Sequence, residues 1–141
     1  MFLTFDTETT GLPKNFKADV SDSENWPRLV QLAWQLNDQT GKLISNKSII
    51  VKPENFTIPF NSEKVHGIST EKAIKDGIGL TETLLKFEEV IKKSKYIIGH
   101  NINFDLKILG AEHYRKNLNS DLENKISIDT GIISKSYCNL K

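Results

Sequence analysis

The sequence predicts an α/β fold built on one mixed sheet, and three observations carry that expectation. An apolar stretch rich in aromatic and β-branched residues opens the chain within 2–12 and reads as a buried strand. Two further strand patterns, 28–37 and 42–52, follow it with short connections, which predicts an antiparallel three-strand meander. Beyond residue 80 the pattern alternates as helix, strand, helix, strand, the arrangement of an α/β protein. A length of 141 residues suits one domain spanning 1–141 with a core of its own.

Composition narrows the function classes. With 38% hydrophobic and 26% charged residues the chain is an ordinary globular one. A net charge of +1 gives no global nucleic-acid signature, so any such binding relies on local patches and on metal. The lone Cys138 excludes an internal disulfide framework and fits a reducing compartment. No apolar run reaches membrane-spanning length, and Asp6 and Glu8 come too early for a signal peptide, so no membrane partner and a cytoplasmic location are expected.

In the first strand, Asp6 and Glu8 stand two apart. Alternation along a strand turns them to one face. Two adjacent anions repel, and a hard, oxygen-seeking cation, Mg²⁺ or Mn²⁺, relieves the repulsion. Gly11 and Pro13 then turn the chain into a polar surface loop over 13–27. Trp26 and Phe16 are expected to tack that loop onto the body, the alternative being a stacking face for a base.

Asp38 to Gly41 makes the turn between the second and third strands, and the third ends before Pro53. Residues 53–79, punctuated by Pro59, Gly67, Gly77 and Gly79, read as short helical turns, one of them capped by Ser69 or Thr70 with Glu71 in its first turn. The helix over 80–94 is expected to start at a Thr81 cap and to bury Leu84, Leu85, Val90 and Ile91. A short apolar strand, 95–99, leads to His-Asn-Ile-Asn-Phe-Asp and a helix over about 103–117 capped by Asn103, with Phe104, Ile108, Leu109 and Glu112 on one side. A last strand is expected at 126–130, with Asp129 capping the helix after it.

Asp105 falls in the first turn of its helix, where an acid complements the helix dipole on local grounds alone. It also follows a strand, and in open α/β sheets sites form at the carboxyl ends of strands. Asp6 and Glu8 end theirs. The three acids can therefore meet, and oxygen donors without Cys or His at ligand spacing favour Mg²⁺ or Mn²⁺ over zinc.

Phe-Asp-Thr-Glu-Thr-Thr-Gly at 5–11 and His-Asn-Ile-Asn-Phe-Asp at 100–105 resemble the first two motifs of the DEDD superfamily of 3′–5′ exonucleases, in its histidine-bearing branch. Within that branch the likeness runs to the proofreading (epsilon) subunits of bacterial replicative polymerases. Val-His-Gly-Ile-Ser at 65–69 resembles the stretch that connects those motifs.

The resemblance implies a ribonuclease H-like mixed sheet and a hydrolase acting at single-stranded 3′ ends, with DNA the expected substrate and a DNA polymerase subunit a partner. It implies two Mg²⁺ or Mn²⁺ ions. Asp6 and Glu8 would ligate the catalytic ion, Asp6 bridging to the second, and Asp105 would support that second ion directly or through water. Thr9, Gly11 and Leu12 would shape the pocket for the terminal nucleotide, Leu12 wedging against its base. Asn101 and Phe104 would line the cleft. His66 would lie near the terminal nucleotide, an ordinary hydrogen-bonded loop histidine being the alternative. In such sites two ions polarise the phosphate, activate the attacking water and stabilise the leaving 3′-oxygen.

The family's third motif, a general-base histidine with an acid five residues on, has no counterpart before Lys141. His100 and His113 are not its substitutes, and Asp129 reads as a cap. A general base contributes roughly 10²–10⁴-fold, so the 141 residues are expected to be truncated before the last helix and weakly active or inactive. Two rivals remain: an exoribonuclease of the same superfamily, and a non-catalytic module that binds a polymerase or nucleic acid. Lys92, Lys93, Lys95, Lys107, Arg115 and Lys116 read as solvated helix faces, the alternative being phosphate contacts.

Overall fold

The computed structural model describes residues 1–138. Strands β1 (Phe2–Thr9), β2 (Leu29–Asn37), β3 (Leu43–Ile50), β4 (Tyr96–Gly99) and β5 (Ile126–Asp129) form one sheet in the spatial order β3-β2-β1-β4-β5. β1 and β2, and β2 and β3, pair antiparallel, while β4 runs parallel to β1 and β5 parallel to β4. The helices are α1 (Phe60–His66), α2 (Thr70–Asp76), α3 (Leu80–Lys93), α4 (Ile102–Arg115) and α5 (Thr130–Cys138). The meander followed by alternating helices and strands is the expected mixed α/β sheet. Its central strand is β1, and β4 lies next to it.

One face of the sheet makes the core. Leu3 and Phe5 of β1, Leu32, Trp34 and Leu36 of β2, and Ile97 of β4 pack with Leu84, Phe87 and Ile91 of α3 and Ile108 and Leu109 of α4, all buried. Phe87 meets Phe5 edge-on and Trp34 at a tilt, each with ring centroids 5.3 Å apart, geometries that suit the charge distribution of aromatic rings. Trp26 is buried and its Nε1 donates to Asp19 O at 2.9 Å, so it fastens the 13–27 loop to the body. Phe16 does not, being 59% exposed. A second, smaller cluster of Val30, Ile58, Ile68 and Ala73 seats α2.

Several local expectations are corrected. The cap of α3 is Gly79, not Thr81. Ile78 exchanges backbone hydrogen bonds with Ile50 and Lys52, which pins the chain to the end of β3. The helix must then start at buried Leu80, leaving Thr81 already inside its first turn. Leu85 is 53% exposed, because the buried stripe of α3 runs through Leu80, Thr83, Leu84, Phe87 and Ile91, and Leu85 lies off it. α4 is preceded by Asn101 rather than Asn103, since buried Ile102 already packs as its first residue. Of the two expected caps, Ser69 rather than Thr70 caps α2, accepting from Lys72 N at 3.1 Å.

Candidate active site

Along β1 the pleat alternates as the sequence implies. Leu3, Phe5, Thr7 and Thr9 are buried, while Thr4 and Asp6 are exposed and Glu8 half-buried. Asp6 and Glu8 thus share the sheet face opposite the core, across from Ala33 and Gln31 of β2. The β1–β2 register shifts between Glu8 and Thr9. Such irregularities re-aim side chains and are common beside active sites.

Asp105 arrives from the other motif. It is 3% exposed, in the first turn of α4, and its Oδ1 accepts from both the backbone N–H of Thr7 at 3.0 Å and the Thr7 hydroxyl at 2.6 Å. The two motifs therefore meet through the residue between Asp6 and Glu8. Burial pushes the Asp105 carboxyl up from 3.8 to about 6; the Thr7 hydroxyl opposes the rise and the nearby Asp6 charge adds to it. A carboxyl out of water and beside another carboxylate is under electrostatic stress, which a divalent cation would relieve.

The donor set fits a hard ion, since all three groups offer oxygen. Among the described residues, however, no three His, Cys, Asp or Glu side chains stand close enough to surround one ion. Asp105 is turned to Thr7 on the core side, and Asp6 and Glu8 project from the opposite face.

The loop from β4 to α4 is fixed by Asp129 at the end of β5. One carboxylate oxygen, Oδ1, accepts from Asn101 N at 3.0 Å and from Gly131 N at 2.8 Å. Asp129 is the expected cap of α5, and the link to Asn101 is an addition. These backbone hydrogen bonds, led by that of Asn101, outweigh desolvation and hold Asp129 below the usual carboxylate range. Asn101 takes φ 58 and ψ 42, the left-handed conformation that Asn tolerates better than most residues.

The remaining candidates fall in different places. Thr9 is buried and its hydroxyl donates to Gly11 O at 2.7 Å, closing a turn in which Gly11 adopts φ 147. Leu12 projects from that turn, 73% exposed. Phe104 is half-buried against the main core. His66 ends α1, where its Nδ1 accepts from Ile68 N at 3.2 Å, while its Nε2 is buried without a hydrogen-bond partner among the described residues. His100 meets the Thr130 hydroxyl at 3.2 Å, and buried His113 the Leu109 carbonyl at 2.7 Å.

Two groups were missed by sequence reasoning. Thr7 is one. It was legible only as the partner of a strand that outruns its neighbour, since β1 continues past the point where β4 stops. Glu112 is the other in its role, although its inward face was foreseen. Fully buried, it accepts from Leu29 N at 2.8 Å and Arg28 Nε at 3.0 Å, and pairs with Arg115 Nη1 at 3.1 Å. Arg28 in turn trades hydrogen bonds with Thr10, so this buried cluster steadies the turn after β1. Lys116 pairs with Glu54, so Arg115 and Lys116 are tied into the fold rather than held free for phosphates.

A family model described as RNase_T, exonuclease, matches residues 3–141. No curated protein matches the chain. Among solved structures, Escherichia coli exonuclease I in complex with a dT13 oligonucleotide superposes with a TM-score of 0.79 at 19% identity, over 99% of this chain and 30% of that one. The zinc-bound form of an E. coli ExoI–ssDNA complex gives a TM-score of 0.80 at 19% identity, with the same coverage of 99% and 30%. A structure described as an ExoI/SSB-Ct complex gives 0.79 and 19%, again over 99% and 30%. The chain thus spans about 30% of the length of the exonuclease I chains it resembles. At this identity the likeness establishes the fold, which is the ribonuclease H-like arrangement expected. No helix among the described residues is long and apolar enough to cross a membrane.

Proposed function

The chain belongs to the RNase_T exonuclease family, within the DEDD superfamily of 3′–5′ exonucleases, and from that membership we propose that it removes nucleotides from the 3′ ends of single-stranded DNA with the help of Mg²⁺ or Mn²⁺. The observation that carries this reading is the double hydrogen bond from Thr7 to Asp105, which joins the two acidic motifs. The oligonucleotide complexes of the structurally similar E. coli exonuclease I favour single-stranded DNA over RNA as the substrate. The narrower proofreading role, with a polymerase subunit as partner, rests on the motif resemblance alone. A single-strand-binding protein is a second candidate partner, from the ExoI/SSB-Ct complex.

Bound ions would polarise the scissile phosphate and lower the pKa of the attacking water. Asp6 and Glu8, on one strand face, would be the direct ligands. Asp105, held on the core side by Thr7, would support the second position through water. Exposed Leu12 would press on the terminal base, and the Thr9–Gly11 turn would keep it there. Each of the three histidines has a ring nitrogen engaged locally.

The test is a single-stranded DNA labelled at its 5′ end, incubated with Mn²⁺ or Mg²⁺, with the chain alone compared with a version extended at its carboxyl end. A ladder that shortens from the 3′ end, abolished by Asp6→Ala and by chelator, supports the proposal. Internal cuts, or no cleavage by either version, would refute it. An RNA substrate in parallel separates the exoribonuclease reading.

A further inference from the structure

We propose that Phe16 is a stacking platform for a base of the single strand, a few nucleotides behind the 3′ end, with Lys14 and Lys17 meeting the phosphates on either side of that base. The inference rests on the proposed action on single-stranded DNA and deepens it by naming a subsite. It calls on no metal ligand.

The chain leaves the rim of β1 through this segment. Leu12 projects from the turn that Thr9 and Gly11 close, and buried Pro13 then anchors the backbone. Lys14, Asn15, Phe16 and Lys17 follow, all of them exposed. Four residues of chain from Leu12 to Phe16 reach ~14 Å at most. A strand whose end lies at Leu12 therefore needs only a few nucleotides to pass over the ring.

Phe16 is held outward by its neighbours. Asn15 N donates to Oδ1 of buried Asn25 at 2.7 Å, and Asn25 Nδ2 donates back to Asn15 O at 2.9 Å. Asn15 Oδ1 accepts from Lys17 N at 2.9 Å, and Ala18 packs against the main core. The backbone on both sides is thus fixed, and the ring between is 59% exposed. So placed, it forgoes the burial for which an aromatic ring is worth most to a fold. Its surroundings indicate what covers it. Lys14, Asn15 and Lys17 are polar, whereas a protein partner takes a contiguous apolar patch. A lone ring between two cations suits a base between two phosphates, since stacking tolerates any base and Lys neutralises the backbone. The acids of the loop, Asp19, Asp22 and Glu24, come later in it, and Asp19 Oδ1 is taken by the Ser21 hydroxyl at 2.7 Å and the Ser21 N–H at 2.9 Å.

The experiment is the binding of 5′-fluorescein-labelled dT13, the oligonucleotide of the E. coli exonuclease I complex, read by fluorescence anisotropy in chelator so that no strand is cut. Phe16→Ala is expected to weaken binding about 5–150-fold, the range for one base–aromatic stack, and Phe16→Trp to keep it. Strands with a single abasic nucleotide, moved stepwise back from the 3′ end, probe the same contact without altering the protein. One or two positions should lower the affinity of the native chain and leave that of Phe16→Ala unchanged, a coupling that a merely structural role of Phe16 would not produce. Replacing Lys14 and Lys17 together by Ala should reduce the slope of log affinity against log salt by about 1–2. Native-like affinity in Phe16→Ala, or abasic losses that are equal with and without the ring, overturns the Phe16 inference and leaves the exonuclease reading standing. An unchanged salt slope overturns the role given to the two lysines. Absence of saturable dT13 binding by the native chain overturns the single-strand reading together with the inference.

Discussion

Asp129, the last residue of β5, holds the backbone N–H of Asn101, the residue before α4, at 3.0 Å. The same oxygen caps α5 through Gly131 N. One side chain thus ties the ends of two parallel strands together at the rim where Asp105 enters. Asp129→Ala is expected to lower stability by removing the cap of α5 and the acceptor that ties Asn101 N to β5. Urea unfolding measures it, and Asp129→Asn, which keeps an acceptor oxygen, should recover most of the loss.

Removing Glu112 leaves Arg28 and Arg115 without their carboxylate and Leu29 N without an acceptor. Breaking a buried pair on one side is strongly destabilising. Glu112→Ala should cost about 3 kcal/mol in chemical denaturation. A loss under about 0.5 kcal/mol would mean that the cluster does not hold the turn after β1.

The Asp105 carboxyl gives the metal-free chain a definite pH dependence. Its folded value of about 6 lies above the 3.8 of an unperturbed carboxyl. Between those values the folded chain binds the proton more than the unfolded chain does, so stability falls as pH rises through the window. The full effect above pH 6 amounts to roughly 3 kcal/mol at most. In chelator, Asp105→Asn should therefore be more stable than the native chain at pH 7.5 by about 1–3 kcal/mol, the advantage shrinking toward pH 4. Urea midpoints at the two pH values decide it.

Thr81 serves as the control. Since Gly79 caps α3 and the Thr81 side chain accepts no bond among the described residues, Thr81→Ala should change stability by less than about 0.5 kcal/mol. A loss above 1 kcal/mol in thermal unfolding would reinstate it as a cap.

These residues also mark how far the sequence could be read. Sheet class, the meander, Ser69 as a cap and Asp129 as a cap were legible, because alternation and capping are local and leave a pattern. Asn103 and Thr81 were misjudged as the helix starts, in place of Asn101 and Gly79, for a tertiary reason: buried Ile102 and pinned Ile78 decide where the chain enters each helix. Leu85 failed because apolar character alone does not say which side of a helix is covered. Asp6, Glu8 and Asp105 were visible as motifs, while the partnership of Thr7 with Asp105, 98 positions apart, depends on where β4 stops beside β1. No local pattern records that.

The central claim, that Asp6, Glu8 and Asp105 answer to one group of divalent ions, is tested most directly by adding trace Mn²⁺ to the isotopically labelled chain and following the paramagnetic broadening of its amide signals. The account predicts that residues 6–9 and 102–106 broaden first and together, and that Asp6→Ala abolishes the effect at both segments. Broadening confined to 6–9, or spread over unrelated surface acids with 102–106 untouched, would contradict it.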